Sequence, residues 1–251
     1  NVYRFIIINM NKLTETAQVY FSYVLEYQWN NLNSFSKKSM QKILDAEFEK
    51  LELENVTIFS DYKKYPKQRV EGAICTYNKK TYILFMATNS TLDWITNFIF
   101  FKKKVPYNNV NPKIKVHSGY HNRYQLNSIR TKILLEITKY HYKNIIVSGY
   151  SMGGGLAPIC AVDIGYNFPK KNVSCFALAG PRVGNKAFVN SIDKYVDAHH
   201  YGYGNDPVIK VAPKLFGFRH LNNKLHYGEK QKWWKFKTKH HLPDNLFSSI
   251  N

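Results

Sequence analysis

The chain has 251 residues, 44% of them hydrophobic and 16% aromatic, which is the composition of a folded globular protein and excludes a disordered one. No apolar run approaches the roughly 18 to 20 residues of a membrane-spanning helix, and the visible sequence contains no complete signal peptide, so the localisation stays open. The formal net charge of +19 favours contact with polyanions, either nucleic acid or an anionic membrane. No recognisable nucleic-acid-binding motif is present, and we expect no specific nucleic-acid partner.

The first half of the chain is predicted to contain helices and one β-hairpin. Apolar residues at helical spacing predict an amphipathic helix over residues 14–29, and a more charged helix follows over residues 36–53. Two apolar, β-branched stretches, Val70–Tyr77 and Thr81–Thr88, are separated by a three-residue polar turn and predict the hairpin. A further helix is predicted from about Tyr120 to Tyr140.

The second half of the chain alternates strands with helices. The predicted strands are Ile145–Ser148, Val173–Leu178, Ala198–Tyr203, Leu215–His220 and Leu225–Tyr227. One helix is predicted directly after a glycine cluster near residue 153, and another over Asn185–Val196. This alternation indicates an α/β fold with a central, mostly parallel sheet flanked by helices. Because no linker or repeat interrupts it, we expect a single domain over residues 1–251.

An apolar strand runs directly into glycines in the stretch NIIVSGYSMGGGLA, residues 144–157. The stretch contains G-x-S-x-G, with Gly149 two residues before Ser151 and Gly153 two residues after it. Between a strand and a helix this is the pattern of a nucleophile elbow, a turn so sharp that it strains the serine backbone. Side chains at the two glycines are expected to collide where the helix folds back over the strand. Ser151 is therefore the candidate nucleophile, although the pentapeptide also fits an ordinary glycine-rich turn.

A serine nucleophile needs a base to take its proton, and that base is usually a histidine oriented by a carboxylate. In α/β-hydrolases the acid follows the serine along the chain, and the histidine comes last. Asp163, Asp193 and Asp197 fall in predicted helices. Asp206 instead lies in a loop just after a predicted strand, at the edge of a parallel sheet where sites are built. Asp206 is the candidate acid, and a purely turn-forming role is its alternative.

Four later histidines are candidates for the base. His220 and His226 lie on strand-like segments, where a packed or surface histidine is the commoner role. His240 and His241 lie together in a polar loop before the last apolar residues of the chain. The residues alone leave the choice between these two open.

At this point the sequence resembles the class 3, fungal-type lipase family of α/β-hydrolases. The family's elbow pattern, G-[HY]-S-[LM]-G-G-[AG], matches Gly149–Gly155. Four other blocks resemble family motifs, and they come in the family's order: Phe85–Trp94, Val116–Tyr120, Ala179–Asn185 and Asn205–Pro213. The resemblance covers about residues 14–247. One departure is Met86-Ala87, which stands where the family has Arg-Gly.

The resemblance implies a role for each candidate residue. Ser151 would be the nucleophile, Asp206 the orienting acid and His241 the general base. The oxyanion hole would consist of the backbone N–H groups of Thr88 and Met152, assisted by the Thr88 hydroxyl. Met152 also suits this role physically, because it begins a helix and its N–H has no partner within that helix. The resemblance implies no metal or cofactor.

The segment that follows Thr88 has apolar residues at three- and four-residue spacing. This predicts a short helix with one apolar face over Thr91–Phe101, followed by three lysines, Lys102–Lys104. An ordinary packed helix with a cationic end fits the pattern, whereas the resemblance implies a lid over the acyl groove that opens at a lipid surface. The lysines favour an anionic surface.

The function that these features predict is a lipid ester hydrolase of the triacylglycerol lipase type. The alternatives are a phospholipase A1-type enzyme and a catalytically inactive, basic scaffold that binds membranes or nucleic acid. The scaffold alternative stays open because of Met86-Ala87.

The three cysteines, Cys75, Cys160 and Cys175, lie in apolar runs and are expected to be buried free thiols, since an odd number does not suit a disulfide framework. No Cys/His spacing indicates a zinc site.

Overall fold

The structure is a computed structural model that describes residues 54–61, 69–85, 101–107, 111–229, 238–241, 245–246 and 249. The two helices predicted before residue 54 lie outside the described residues. So do the oxyanion candidate Thr88 and residues 91–100 of the predicted lid helix. All of these stay predictions.

A seven-stranded sheet forms the centre of the described structure. In spatial order its strands are β1 (Glu54–Asp61), β2 (Arg69–Tyr77), β3 (Lys80–Phe85), β6 (Asn144–Tyr150), β7 (Asn172–Leu178), β9 (Asp197–Tyr203) and β11 (Asn223–Tyr227). The pairs β1–β2 and β2–β3 are antiparallel, and every neighbouring pair from β3 to β11 is parallel. The predicted hairpin and the mostly parallel sheet are confirmed.

A smaller antiparallel sheet packs beside the large one. Its order is β10 (Phe218–Arg219), β8 (Gly184–Asn185), β5 (Lys115–His117) and β4 (Lys102–Lys104). The alternative interpretation, in which these three lysines form the cationic end of a helix, is therefore wrong, since β4 pairs with β5 along its whole length. The strand predicted from residue 215 to 220 is also shorter than expected. Lys214–Phe216 form a 3₁₀ turn, and Gly217, at φ 77°, separates this turn from β10.

Strand β1 was not predicted from the sequence. Its pairing with β2 has two register shifts, one between Glu54 and Thr57 and one between Phe59 and Ser60. Such irregularities interrupt the two-residue alternation by which a strand is recognised in a sequence. Phe59 nevertheless points into the core and is fully buried.

Four α-helices are described: α1 (Ser118–Gln125), α2 (Ile129–Lys139), α3 (Met152–Asn167) and α4 (Lys186–Ile192). The single helix expected from about Tyr120 to Tyr140 is in fact α1 and α2. A 3₁₀ turn over Leu126–Ser128 separates them, and Ser128 adopts a left-handed conformation with φ 63°. Asn and Ser are residue types that favour turns over helix interiors, in agreement with a break at this position.

Helix α3 is the central helix of the core and connects β6 to β7. Every residue from Met152 to Gly165 is buried, so the helix has no solvent-facing side along most of its length. It packs against both β6 and β7 as well as against α1. The three cysteines are buried and free, as expected. Because β6 ends where α3 begins, the residue between them is fixed by the core on both sides.

Two histidines pack against each other beside the large sheet. The rings of His200 in β9 and His220 after β10 have centroids 4.4 Å apart. The Nε2–H of His200 donates to the Gly180 carbonyl at 2.7 Å. Burial lowers the pKa of His200 to about 4, and burial together with the neighbouring His200 lowers the pKa of His220 as well. Both rings are therefore neutral near pH 7.

This pair predicts that the protein loses stability in mild acid. An unfolded chain protonates His200 near pH 6.5, while the folded protein resists until about pH 4, so unfolding is increasingly favoured as the pH falls through this interval. A shift of this size corresponds to roughly 3 kcal/mol. In His200→Gln the amide N–H replaces the imidazole donor. Chemical denaturation should show that the free energy of unfolding falls less between pH 7 and pH 4.5 in this variant than in the wild type. The same change at exposed His141 is the control, and parallel losses in both variants would contradict the assignment.

Candidate active site

Ser151 occupies the sharp turn between β6 and α3. Its backbone dihedrals are φ 55° and ψ −117°, a strained combination for a residue with a side chain. The Ser151 N–H donates to the Leu178 carbonyl at 2.9 Å, which continues the pairing of β6 with β7 past the end of the strand. A Cβ at Gly149 would lie 2.3 Å from the carbonyl carbon of Gly153, so only glycine fits there. The predicted strand-to-helix turn, its strained serine and the expected collision at Gly149 are confirmed.

The structure brings Ser151, His241 and Asp206 together in one hydrogen-bonded line. The His241 Nε2 lies 2.8 Å from Ser151 Oγ, and its Nδ1 lies 2.7 Å from Asp206 Oδ2. The Asp206 carboxylate is fully buried, and the imidazole is nearly so. Because a carboxylate only accepts, Nδ1 carries the hydrogen of that bond, and Nε2 is left to accept the serine hydroxyl. This is the tautomer that a general base requires.

Asp206 is held by the loop that it occupies. It follows β9 by three residues, and its Oδ1 accepts the backbone N–H of Val208 at 2.8 Å while Oδ2 faces His241. Its own N–H donates to the Tyr203 carbonyl at 3.2 Å. The Asn-Asp-Pro sequence thus builds a turn and also directs one carboxylate oxygen to the imidazole, so the turn-forming and site-forming roles coincide.

Arg182 supports this loop from another direction, a role that the sequence did not reveal. Its Nη1 donates to the Lys210 carbonyl at 2.5 Å and to the Ala212 carbonyl at 3.2 Å. The guanidinium is half-buried, and burial lowers its pKa. The position of Arg182 in the Ala179–Asn185 block was the available signal, but no spacing argument connected it to a loop about 30 residues later.

Tyr150, the residue before the candidate nucleophile, contacts the histidine loop. Its hydroxyl donates to the backbone carbonyl of His241, and the two rings lie 5.2 Å apart. The elbow therefore carries both Ser151 and the Tyr150 hydroxyl, which binds the backbone of His241 opposite the serine. The signal in the sequence was a polar aromatic group inside the elbow pattern.

The other histidines that were candidates for the base lie elsewhere. His220 is partly buried against the ring of His200, and His226 belongs to β11. The ring of His240 faces away from Ser151, and its Nδ1 accepts the backbone N–H of Asn205 at 2.8 Å. The choice that the sequence left open therefore falls on His241, whose ring alone of these two faces Ser151.

The alternative acids are also accounted for. Asp163 in α3 accepts two guanidinium N–H groups of Arg130, at 2.7 and 2.9 Å. Asp193 caps the end of α4, and Asp197 is the first residue of β9, so its predicted helical position is wrong. These three carboxylates have other partners: Arg130 for Asp163, Asn222 for Asp193 and His199 for Asp197.

Met152 is the first residue of α3 and is buried beside Ser151. Backbone N–H groups in the first turn of a helix have no partner within it, and they favour negative charge. The second expected oxyanion donor, Thr88, lies outside the described residues.

Within the described part of the chain, no group of three His, Cys, Asp or Glu side chains is arranged to hold a metal ion. None of the described helices has the length and apolar character to cross a membrane.

A mostly parallel sheet with a serine at a strand-to-helix elbow, followed in chain order by a carboxylate and a histidine, defines an α/β-hydrolase. The family model described as "Lipase (class 3)" matches residues 82–216, just over half of the chain. The chain belongs to this lipase family.

Individual relatives agree with this assignment. A lipase of Rhizopus niveus is 31% identical over 149 residues, which are 57% of this chain and 37% of that protein. The chloroplastic phospholipase A1-Ialpha2 of Arabidopsis thaliana is 31% identical over 159 residues, 53% of this chain and 33% of the relative. The solved structure of lipase II from Rhizopus niveus superimposes with a TM-score of 0.58 at 25% identity and covers 70% of this chain and 66% of that one. The chain spans about two-fifths of the length of the first curated relatives that it matches.

Proposed function

We propose that the protein is a serine-dependent carboxylic ester hydrolase that acts on lipid esters, of the triacylglycerol lipase type. The proposal rests chiefly on one observation: Ser151 Oγ, His241 and Asp206 are joined by contacts of 2.8 and 2.7 Å at a strained elbow. Membership of the class 3 lipase family and the lipase from Rhizopus niveus support the lipid ester as substrate.

In the proposed reaction His241 is the general base. Its Nε2 takes the hydroxyl proton as Ser151 Oγ attacks the acyl carbon, and it then protonates the departing alcohol oxygen. Water repeats the sequence on the acyl-serine: Nε2 takes a water proton, hydroxide attacks the acyl carbon, and the proton returns to Oγ as the carboxylic acid leaves. The Asp206 carboxylate accepts the Nδ1 hydrogen and stabilises the imidazolium that forms twice per turnover.

The tetrahedral intermediate carries a negative oxygen that must be stabilised. We assign this role to the backbone N–H of Met152, together with the backbone N–H and hydroxyl of Thr88. Removal of one such donor typically lowers the rate on the order of 10²- to 10³-fold. The proposed chemistry requires no metal or cofactor, because the histidine and the N–H groups supply the proton transfer and charge stabilisation.

The alternative substrate is a phospholipid, cleaved as by a phospholipase A1. One observation favours it: the matching relative from Arabidopsis thaliana is named a phospholipase A1. Both substrates would use the same three side chains, so the site geometry does not distinguish them. Rates on a panel of p-nitrophenyl esters, triglycerides and phospholipids, presented at equal surface area, would decide between the two.

The nucleophile assignment predicts that Ser151→Ala abolishes ester hydrolysis by several orders of magnitude and leaves the fold intact. The wild-type protein should also react with a fluorophosphonate probe, and Ser151→Ala should not. Ser148→Ala is the matched control, because Ser148 lies in β6 just before the elbow and its hydroxyl donates to the Phe176 carbonyl at 3.2 Å. Retention of a tenth of wild-type turnover in Ser151→Ala would contradict the assignment. Absence of probe labelling in the wild type would favour the inactive scaffold.

We further propose that the protein docks on an anionic lipid surface through a patch formed by Phe101, Lys102, Leu215 and Phe216. The three apolar side chains are exposed to 74%, 90% and 47% respectively. Lys102 ties the two segments of the patch together, since its Nζ donates to the Phe216 carbonyl and lies 4.4 Å from the centroid of the Phe218 ring. Apolar side chains within a cationic surface suit insertion among anionic lipid headgroups. The lid interpretation of residues 91–101 stays a prediction, although Phe101 itself lies outside any helix.

This patch predicts how vesicle binding responds to substitution. With Ser151→Ala as the background, so that no lipid is hydrolysed, the pair Phe101→Ser and Leu215→Ser should weaken partition into anionic vesicles about 10-fold or more. Replacing exposed Lys103 and Lys104 by serine should weaken it at low salt and have less effect at high salt. Leu135→Ser is the matched control, because Leu135 is 58% exposed on α2. Vesicle affinity that falls equally in the control, or in none of the variants, would contradict the docking proposal.

A further inference from the structure

His240 joins the two loops that carry Asp206 and His241. It belongs to the 3₁₀ turn Thr238–His241, directly before His241, yet its ring contacts the other loop. Its Nδ1 accepts the backbone N–H of Asn205 at 2.8 Å, and Asn205 directly precedes Asp206. One hydrogen bond therefore connects the neighbours of both members of the His241–Asp206 pair.

The surroundings of His240 are shaped to receive an imidazole ring. Gly204 has a φ of 49°, and a Cβ on it would lie 2.3 Å from His240 Nδ1, so the backbone approaches the ring as closely as glycine permits. The Tyr203 ring meets the His240 ring edge to face, with centroids 5.5 Å apart and planes at 80°. The residues from 203 to 205 thus contact His240 at three successive positions.

We propose that His240 is a positioning residue of the active site. Its neutral ring holds the Asp206 loop against the His241 turn through the hydrogen bond from Asn205 N–H to His240 Nδ1, which we call the clasp, and protonation of Nδ1 breaks this bond. The inference rests on the proposed function, because it concerns the orientation of the proposed base. His240 does not contact the serine, and its effect is exerted through the distance between Asp206 and His241.

The sensitivity to protons follows from the chemistry of imidazole. A neutral ring has one acceptor nitrogen, whereas both nitrogens of an imidazolium carry hydrogen. Because Nδ1 accepts the Asn205 N–H, a proton on Nδ1 would set two N–H groups against each other and break the bond. Among the described residues, titratable residues beside the clasp include Lys239 and His241 in the same turn, Tyr203 in β9 and Asp206 in its loop.

Two protonations should therefore inactivate the wild-type enzyme in acid. Protonation of His241 removes the base, and protonation of His240 opens the clasp. The logarithm of kcat/KM should then fall with a slope steeper than one over the pH interval in which both rings protonate, whereas one essential group alone would give a slope of one throughout.

Three substitutions of His240 distinguish the effect of its hydrogen-bond acceptor from the effect of its aromatic ring. In His240→Asn the amide oxygen stands where Nδ1 stood and cannot be protonated in this pH range. In His240→Gln the same amide lies one carbon further out, which places the acceptor wrongly. His240→Phe keeps an aromatic ring without any acceptor. His141→Asn, at an exposed position, controls for the general effect of removing a histidine.

We expect His240→Phe and His240→Gln to lose about 10- to 100-fold in kcat/KM on a soluble short-chain ester, because small displacements of catalytic groups have effects of this size. His240→Asn should recover most of that loss at pH 8, and its acidic limb should have a slope of one. Thermal melts of each variant establish that it folds. Nitrogen-15 NMR at pH 8 should show His240 with Nδ1 unprotonated and Nε2 protonated. We expect this result both in the wild type and in the catalytically inactive variant Ser151→Ala.

Equal activity of His240→Asn and His240→Gln would overturn the proposal, and so would a wild-type acidic limb no steeper than that of His240→Asn. An Nδ1-protonated His240 at pH 8 would also overturn it. If the wild type hydrolyses no ester and fails to react with a fluorophosphonate, the proposed function fails instead. The NMR measurement still reports on the clasp in that case, because it needs no turnover.

Discussion

The hydrogen bond between His241 Nδ1 and the buried Asp206 carboxylate is the interaction on which the arrangement of the site depends. A fully buried carboxylate is costly unless its oxygens are hydrogen-bonded, and here Val208 N–H satisfies one oxygen and His241 the other. The same bond fixes the tautomer and the rotation of the imidazole, so that Nε2 faces Ser151. Loss of His241 would leave one buried Asp206 oxygen without its hydrogen bond, and loss of Asp206 would remove the acceptor of the His241 Nδ1–H. The pair is therefore a structural unit as well as a chemical one.

The parallel sheet brings these groups within reach of one another. Ser151 follows β6 and Asp206 follows β9, with β7 between them, so both side chains emerge at the carboxyl edge of the same sheet. Ser151 is held in place because the buried helix α3 begins directly after it, and Arg182 hydrogen-bonds the backbone that follows Asp206. The strained serine conformation persists because the elbow is packed on all sides, as expected for a site held by the core rather than by a free loop.

Much of this was predictable because it depends on local sequence. The elbow is specified by Gly149, Ser151 and the apolar residues around them, and chain order together with loop position was sufficient to select Asp206. The distinction between His240 and His241 was not predictable from the residues alone, because both lie in one polar turn and only the fold shows which ring faces the serine. Strand β1 escaped detection because its register shifts disrupt the alternation of side chains. The lysines of β4 were misassigned because pairing with β5, a distant contact, overrides local spacing.

The central claim is that Ser151 is the nucleophile of a site completed by Asp206, His241 and the first N–H of α3. A crystal structure of the protein after reaction with a fluorophosphonate tests it most directly. We expect a bond between phosphorus and Ser151 Oγ, a phosphonyl oxygen within hydrogen-bonding distance of the Met152 N–H, and a preserved contact between His241 and Asp206. Phosphorus bound to any other side chain, or a phosphonyl oxygen directed away from Met152, would contradict it.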